Sequence, residues 1–174
     1  MPNFKPKYKP KKKCGNNERK TWIDKLDKVF SLYIRMRDSK PFKFAAFRCI
    51  SCGEVKPFSM MDCGHYISRN CFPLRWNSSN ASGECSMCNR FHSDHLIGYR
   101  KNLILKLGQE AISGSALAES LPNDKKLALI KKMGTEKVEA LEAMKHQTKK
   151  WTVEELKELY MYYAALVLEL KNEM

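Results

Sequence analysis

The sequence predicts an α+β protein in which a small, zinc-braced ββα core is flanked by several α-helices. Two Cys-x2-Cys pairs, Cys49–Cys52 and Cys85–Cys88, bracket a segment rich in turn residues, which favours short strands. Apolar residues recur with helical spacing at 21–38 and 152–171. These patterns divide the chain into an arm (1–20), a helix with its lead-in (21–48), the four-cysteine core (49–108) and a C-terminal helical region (109–174).

The composition favours a polyanionic partner. The chain of 174 residues fits one compact domain and carries a net charge of +13. Residues 1–20 hold eight Lys/Arg against one Glu, whereas residues 101–174 hold twelve against eleven acids. No apolar run approaches the roughly 18 residues of a membrane span, and the start lacks the apolar region of a secretory signal. We therefore expect a protein of the reducing cytoplasm whose partner is a polyanion, in the first place nucleic acid.

Residues 1–20 are predicted to form a basic, flexible arm. Lysines alternate with prolines there, and both proline and repulsion between like charges oppose a helix. Such a tail can simply aid solubility, or it can lie on phosphates, and RNA binding through the arm is a further possibility. The candidate DNA contacts in the arm are Lys11, Lys12 and Lys13.

The two strongest helix predictions lie near the ends of the chain. The first, 21–38, presents an apolar stripe and can be capped by Thr21. The second, 152–171, starts with Thr152 and Glu155 at capping-box spacing. Its apolar stripe can pack on the first helix or on a second copy of the chain, so a homodimer is possible. Residues 109–150 are interpreted as short helices.

The four cysteines are predicted to hold one structural Zn²⁺. Two Cys-x2-Cys pairs separated by 32 residues suit a single tetrahedral ion, and an odd total of seven cysteines cannot pair completely in disulfides. A helix is expected to begin near Cys85 or Cys88 and to continue to Gly108, a plausible C′ residue.

Polar side chains between and just after the cysteine pairs suggest a second site. Carboxylate, amide and imidazole groups can hold Mg²⁺ or Mn²⁺, and a separate neutral histidine can activate water. Asn89 and His92 would share a helix face at i, i+3. The alternative is that polar residues merely cluster near a zinc knuckle. The candidates are Asp62, His65, Asn80, Asn89, His92 and His95.

These motifs resemble a known family. The order Cys-x2-Cys, His, Asn, Cys-x2-Cys-Asn is similar to HNH endonucleases of the treble-clef, ββα-metal type. The segments DCGHYISR, LRWNSSN, CSMCN, LIGYR, KLGQEA and KKWTVEELK resemble more closely the phage NinG recombination family, also called Rap. The resemblance implies cutting of branched DNA, such as Holliday junctions and D-loops, inside a bacterial host cell.

The resemblance also implies residue roles. His65 would be the general base, Asn80 would orient the loop and His65, and Asn89 would be a ligand of the catalytic ion. Asp62 and His92 are further candidate ligands. HNH sites usually place a metal-binding Asp or His where this chain has Gly64. The implied phosphate contacts are Arg69, Arg75, Arg90 and Arg100.

We therefore predict a metal-dependent, structure-selective DNA endonuclease. The chief alternative is a non-catalytic, zinc-containing recombination factor that binds DNA junctions. Basic charge and four cysteines fit both functions equally well, and His65 and Asn80 discriminate between them.

Overall fold

The computed structural model describes residues 15–174, so the predicted contacts Lys11, Lys12 and Lys13 lie outside the described residues. The α-helices in this range are α1 (Gly15–Ser39), α2 (Ser86–Phe91), α3 (His95–Ile112), α4 (Ala116–Ser120), α5 (Asn123–Ala143) and α6 (Val153–Asn172). The strands are β1 (Ala46–Arg48), β2 (Val55–Pro57), β3 (Met61–His65) and β4 (Ala81–Cys85). The predicted mixture of helices with a small amount of sheet is confirmed.

Two short antiparallel hairpins form the centre. β1 pairs with β2 in a register that places Phe47 opposite Lys56. β3 pairs with β4, and Cys63 lies opposite Gly83. The first Cys-x2-Cys pair lies in the turn between β1 and β2, and the second spans the end of β4 and the start of α2.

Helix α1 begins at Gly15, so the prediction that residues 15–20 belong to a flexible arm is wrong, as is the prediction that Thr21 caps the helix. Contacts with the α6 region explain the earlier start. Arg19 Nε donates to the Trp151 carbonyl over 3.1 Å, and Glu18 pairs with Lys157 over 3.2 Å. Tertiary contacts thus outweigh the local charge repulsion in residues 15–20.

Helix α6 packs on α1, as one of the two predicted alternatives proposed. Leu26 and Phe30 of α1 are buried against Leu156 and Tyr163 of α6. The Thr152–Glu155 capping box is present, with Thr152 N donating to Glu155 Oε2 over 2.8 Å. The apolar faces of both helices are therefore buried in the core of their own chain.

The helix predicted to continue from the second cysteine pair to Gly108 is interrupted. Helix α2 ends at Phe91, His92 has extended backbone angles, and α3 starts at His95 and runs past Gly108 to Ile112. Gly108 is no C′ residue, because α5 crosses α3 at this point. A Cβ at Gly108 would lie 1.9 Å from the Ile130 carbonyl oxygen.

A mostly buried ionic cluster joins α1, α3 and β4. Asp38 lies 2.7 Å from Arg37 and 2.9 Å from Lys106 and also accepts a hydrogen bond from Gly83 N over 2.7 Å. Arg37 donates to the carbonyl of Ala81 over 2.9 Å. The cluster holds the β3–β4 hairpin against two helices.

Candidate metal centre and adjacent cleft

The four cysteines predicted to hold zinc lie together. Their sulfur atoms are all within 4.8 Å of one another. Among residues 15–174, these four side chains form the one group of His, Cys, Asp or Glu ligands close enough together to hold a metal ion. Tetrahedral Zn–S bonds of about 2.3 Å separate the sulfurs by about 3.8 Å, so modest inward movement would complete a site. The ligands would be Cys49, Cys52, Cys85 and Cys88.

The local backbone supports such a site. Gly53 closes the turn after Cys52 with a positive φ of 76° and donates its N–H to the Cys49 carbonyl over 2.9 Å. The N–H of Cys85 points at Cys49 Sγ over 3.3 Å. Burial raises the pKa of Cys49 and of Cys88, so a bound cation would be needed to hold these sulfurs as thiolates. The donor set therefore fits a metal such as zinc.

A cleft of about 570 Å³ opens beside the four-cysteine cluster. Strand β3 contributes Asp62 and His65, α2 contributes Asn89 and Arg90, and α3 contributes His95. The structure therefore brings four of the six candidate residues to one cavity, namely Asp62, His65, Asn89 and His95.

Asp62 and Asn89 are in direct contact. Asn89 Nδ2 donates to Asp62 Oδ2 over 3.1 Å, and Arg90 binds both oxygens of Asp62 over 2.8 and 2.9 Å. Partial burial would raise the pKa of Asp62, but the hydrogen bonds from Arg90 and Asn89 lower it. The carboxylate is thus anionic at neutral pH and already neutralised by a cationic side chain.

His65 is held by the backbone. Its Nε2 lies 3.0 Å from the Arg75 carbonyl oxygen, and its ring lies near that of Phe30 with centroids 6.0 Å apart. Burial lowers the pKa of His65 below its usual 6.5, because desolvation disfavours the charged imidazolium. The side chain is therefore neutral near pH 7.

Asn80 is fully buried away from the cleft and binds the loop that follows β3. Its Oδ1 accepts from Ile67 N over 2.9 Å, and its Nδ2 donates to the carbonyls of Ile67 and Leu74 over 2.9 and 3.1 Å. This loop carries Arg75, whose carbonyl contacts His65. Asn80 is placed to position the loop and cannot touch a substrate in the cleft.

His92 does not join the cleft. It lines a neighbouring depression with Cys52, Cys85 and Cys88, because α2 ends at Phe91 and the expected i, i+3 face with Asn89 does not form. His95, the first residue of α3, lines the cleft in its place.

The predicted phosphate contacts have different surroundings. Arg69 is exposed at the rim of the cleft. Arg75 is mostly buried and binds Asp27 through 2.9 and 2.6 Å contacts, and Arg100 binds Glu142 over 2.8 Å. Arg69 and, once released from Asp62, Arg90 are therefore the cleft arginines best placed to meet a phosphate.

The residue that sequence reasoning missed is Glu84. It is fully buried in β4 opposite Asp62, and its Oε1 lies 2.6 Å from His95 Nδ1. The available signal was a single acid among the small residues of ASGEC, a strand with every residue buried.

The geometry defines a mixed helix-and-sheet protein with a four-cysteine cluster that can hold a metal beside a polar cleft. The chain belongs to the NinG family, because the sequence model of the family described as "Bacteriophage Lambda NinG protein" matches residues 5–125 and 122–173. No solved structure matches the chain. Among the described residues, no helix is long and apolar enough to cross a membrane.

The chain is similar to curated proteins of several phages. Protein ninG of Escherichia phage lambda is 29% identical over 162 residues, which is 92% of this chain and 63% of the relative. Protein ninG of Salmonella phage P22 is 26% identical over the same share of both chains. That of Enterobacteria phage H19B is 32% identical over 102 residues, 58% of this chain and 47% of the relative. The chain thus spans less than two thirds of these relatives' length.

Proposed function

We propose that this protein is a divalent-metal-dependent DNA endonuclease of the HNH-like, treble-clef type that cuts branched DNA during phage recombination. The observation that carries the proposal is the cleft in which Asp62, His65 and Asn89 converge beside the four-cysteine cluster. A neutral histidine that shares a cleft with an oxygen-donor pair supplies the groups that metal-assisted phosphodiester hydrolysis requires.

In the proposed reaction, His65 is the general base. Because Nε2 donates to the Arg75 carbonyl, Nδ1 keeps a lone pair that can take a proton from water. The resulting hydroxide forms a bond to phosphorus, and the bond from phosphorus to one deoxyribose oxygen breaks. The leaving oxygen takes a proton from solvent, so the step needs only water as co-reactant.

Asp62 and Asn89 would hold the catalytic Mg²⁺ or Mn²⁺. A carboxylate and an amide oxygen suit such hard cations, and the ion would offset the charge of the phosphate. Arg90 occupies both Asp62 oxygens, so it must release them when the ion binds. Once free, it shares the cleft with Arg69, and both guanidinium groups can bind the DNA backbone there.

The structural zinc would act at a distance from this chemistry. The cluster fixes the β1–β2 turn against the start of α2, and α2 carries Asn89 and Arg90. Its expected contribution is to keep these cleft residues in place.

The second candidate function is a non-catalytic junction-binding recombination factor. The observation that favours it is the bidentate contact between Arg90 and Asp62, which leaves the acid neutralised without any added ion. A binding protein would keep that pair closed and use its basic surface alone.

One experiment separates the two. Wild type and His65→Ala are incubated with a labelled four-way junction and with a matched linear duplex, in Mg²⁺, in Mn²⁺ and in EDTA. Metal-dependent cutting of the junction by the wild type, slowed by about 10²-fold or more in the variant, supports the nuclease. Equal junction binding by both proteins with no cutting in any ion supports the binding factor.

The matched control is His92→Ala, because His92 is exposed outside the cleft. Loss of cutting in His92→Ala, with unchanged cutting in His65→Ala, would contradict the assignment of the base. Zinc content is measured for each protein so that a loss of activity is not confused with a loss of the four-cysteine site.

A further inference from the structure

Glu84 is a fully buried carboxylate in the centre of the molecule. It lies in β4, and its Oε1 accepts hydrogen bonds from Ser51 Oγ and from His95 Nδ1, the latter over 2.6 Å. Its second oxygen, Oε2, is buried without a hydrogen-bond partner among the described residues. Burying a carboxyl group with one unpaired oxygen is costly, so its presence here calls for an explanation.

The partner of that carboxylate faces the cleft. His95 starts α3, its side chain is 19% exposed, and it lines the same cavity as Asp62 and Asn89. In the tautomer whose Nδ1–H donates to Glu84, the lone pair that can bind a metal ion is on Nε2. A histidine that binds a metal through one nitrogen commonly donates the other N–H to a carboxylate.

We propose that His95 supplies an imidazole ligand, through Nε2, to the divalent ion of the cleft, and that Glu84 positions it for that purpose. The inference rests on the cation site of the proposed function but not on DNA cutting. It adds an imidazole nitrogen to the oxygen donors of Asp62 and Asn89, and an imidazole ligand favours a transition-metal ion over Mg²⁺.

The packing around Glu84 explains why residue 64 is a glycine. A Cβ at Gly64 would lie 2.2 Å from Glu84 Oε2 and 2.8 Å from its Cβ. A side chain at position 64 would therefore displace Glu84. The fold thus excludes a ligand on β3 at this position and presents His95 on α3.

The same carboxylate joins the cleft to the four-cysteine cluster. Ser51 lies between Cys49 and Cys52, so its hydrogen bond to Glu84 ties the turn of the cluster to His95. Helix α3 also touches that turn, since a Cβ at Gly98 would lie 2.2 Å from the Ser51 carbonyl oxygen. Loss of the cluster should therefore displace His95 as well.

The test uses the full-length, zinc-loaded chain and Mn²⁺ as the probe. Mn²⁺ affinity is measured by EPR titration, and pulsed EPR records the ¹⁴N coupling of any bound imidazole. We expect the wild type to show one imidazole coupling. His95→Ala should abolish it and weaken Mn²⁺ binding by about tenfold or more, with zinc content unchanged.

Two further variants make the result specific. His92→Ala, a change of an exposed histidine outside the cleft, should retain both the coupling and the affinity of the wild type. Glu84→Gln preserves side-chain volume and should weaken Mn²⁺ binding by about tenfold or more while retaining the coupling. Glu84→Gln also keeps the test valid if His95→Ala loses zinc.

The inference is overturned if wild type binds no Mn²⁺, if the coupling survives in His95→Ala, or if it disappears in His65→Ala or His92→Ala instead. The results that refute His95 as a ligand differ from those that refute the proposed nuclease function. A His95-dependent coupling without junction cutting refutes only the nuclease, whereas cutting and coupling that both survive His95→Ala refute only this ligand.

Discussion

At the scale of single residues, one hydrogen bond decides which nitrogen of His65 can act as a base. A backbone carbonyl can only accept, so Nε2 must donate to Arg75 O and Nδ1 must carry the lone pair. Burial then keeps the ring neutral near pH 7. The hydrogen bond and the lowered pKa of His65 thus both leave a free lone pair on Nδ1, as a general base needs.

The pH dependence of cutting tests this assignment. Below the pKa of His65, which lies under 6.5, the ring is protonated and cannot accept another proton. We expect the single-turnover rate on a four-way junction to be flat near neutrality and to fall about tenfold per pH unit on the acid side. A rate that increases as the pH falls through this range would contradict a general base at His65.

The sequence identified the residue types of the cleft better than their partners. Asp62, His65 and Asn89 could be singled out because their order relative to the cysteines is visible in the chain. His92 was favoured over His95 because the predicted helix was continuous, whereas α2 ends at Phe91. Glu84 could not be singled out, because its contacts to Ser51 and His95 depend on tertiary packing.

At the scale of elements, α3 and α5 cross with their backbones in contact. A Cβ at Gly134 would lie 1.8 Å from the Ile104 carbonyl oxygen, and Gly108 lies at the same crossing. The similar segments LILKLGQEAI and LIKKMGTEKV place these two glycines at equivalent positions. The resemblance between the segments thus coincides with a shared packing requirement.

Gly134→Ala should destabilise the protein. Helix propensity alone would favour alanine by about 1 kcal/mol, but an overpacked core costs about 1–3 kcal/mol. Because the colliding atom is a backbone oxygen, we expect packing to outweigh propensity and the free energy of unfolding in urea to fall. Glu136→Ala, an exposed change on the same helix, is the control. A more stable Gly134→Ala protein would show that the helices do not cross so closely.

The ionic cluster around Asp38 makes a second prediction. Although burial raises it, the charges of Lys106 and Arg37 lower the pKa of Asp38 to about 2. Asp38→Asn leaves those two cations without their carboxylate, so we expect a loss of about 3–5 kcal/mol of unfolding free energy at pH 7. Asp24→Asn, an exposed change on α1, should have little effect.

The sign of the pH effect follows from the lowered pKa. The stabilisation is present above the ordinary pKa of 3.8 and is lost as the pH falls toward about 2. The difference in stability between wild type and Asp38→Asn should therefore shrink in acid. A constant difference over this range would show that Asp38 is not held as an anion by its neighbours.

Element predictions succeeded where local signals decide. The capping box and apolar stripe were enough to predict α6, and its packing on α1 was one of the two alternatives that the stripe left open. The break after Phe91 and the continuation of α3 through Gly108 were not predictable, because α3 packs closely on Ser51 in the β1–β2 turn and on α5, and these contacts are tertiary. Local helix propensity carries no information about such tertiary contacts.

At the scale of the whole molecule, the four-cysteine cluster links the turn of the β1–β2 hairpin to the end of β4 and the start of α2. The α1–α6 and α3–α5 helix pairs have their own buried cores. Loss of a bound metal should therefore destabilise the hairpins at the centre more than the α1–α6 and α3–α5 helix pairs.

Cys88→Ser tests this division. We expect loss of bound zinc and faster amide hydrogen exchange in residues 46–57 and 81–100, while exchange in the packed parts of α1 and α6 changes little. Cys71→Ser, a thiol outside the cluster, is the matched control. Uniform loss of protection throughout the chain would show that the helices depend on the cluster as well.

The central claim, that His65 is the base of a DNA-cutting cleft, is tested most directly by chemical rescue. Zinc-loaded His65→Ala is mixed with a labelled four-way junction and Mn²⁺, with and without added imidazole. We predict that junction binding equals that of the wild type, that cutting is slowed by about 10²-fold or more, and that imidazole restores part of the rate. Wild-type cutting rates in the variant would contradict the claim, as would a wild type that binds the junction without cutting it.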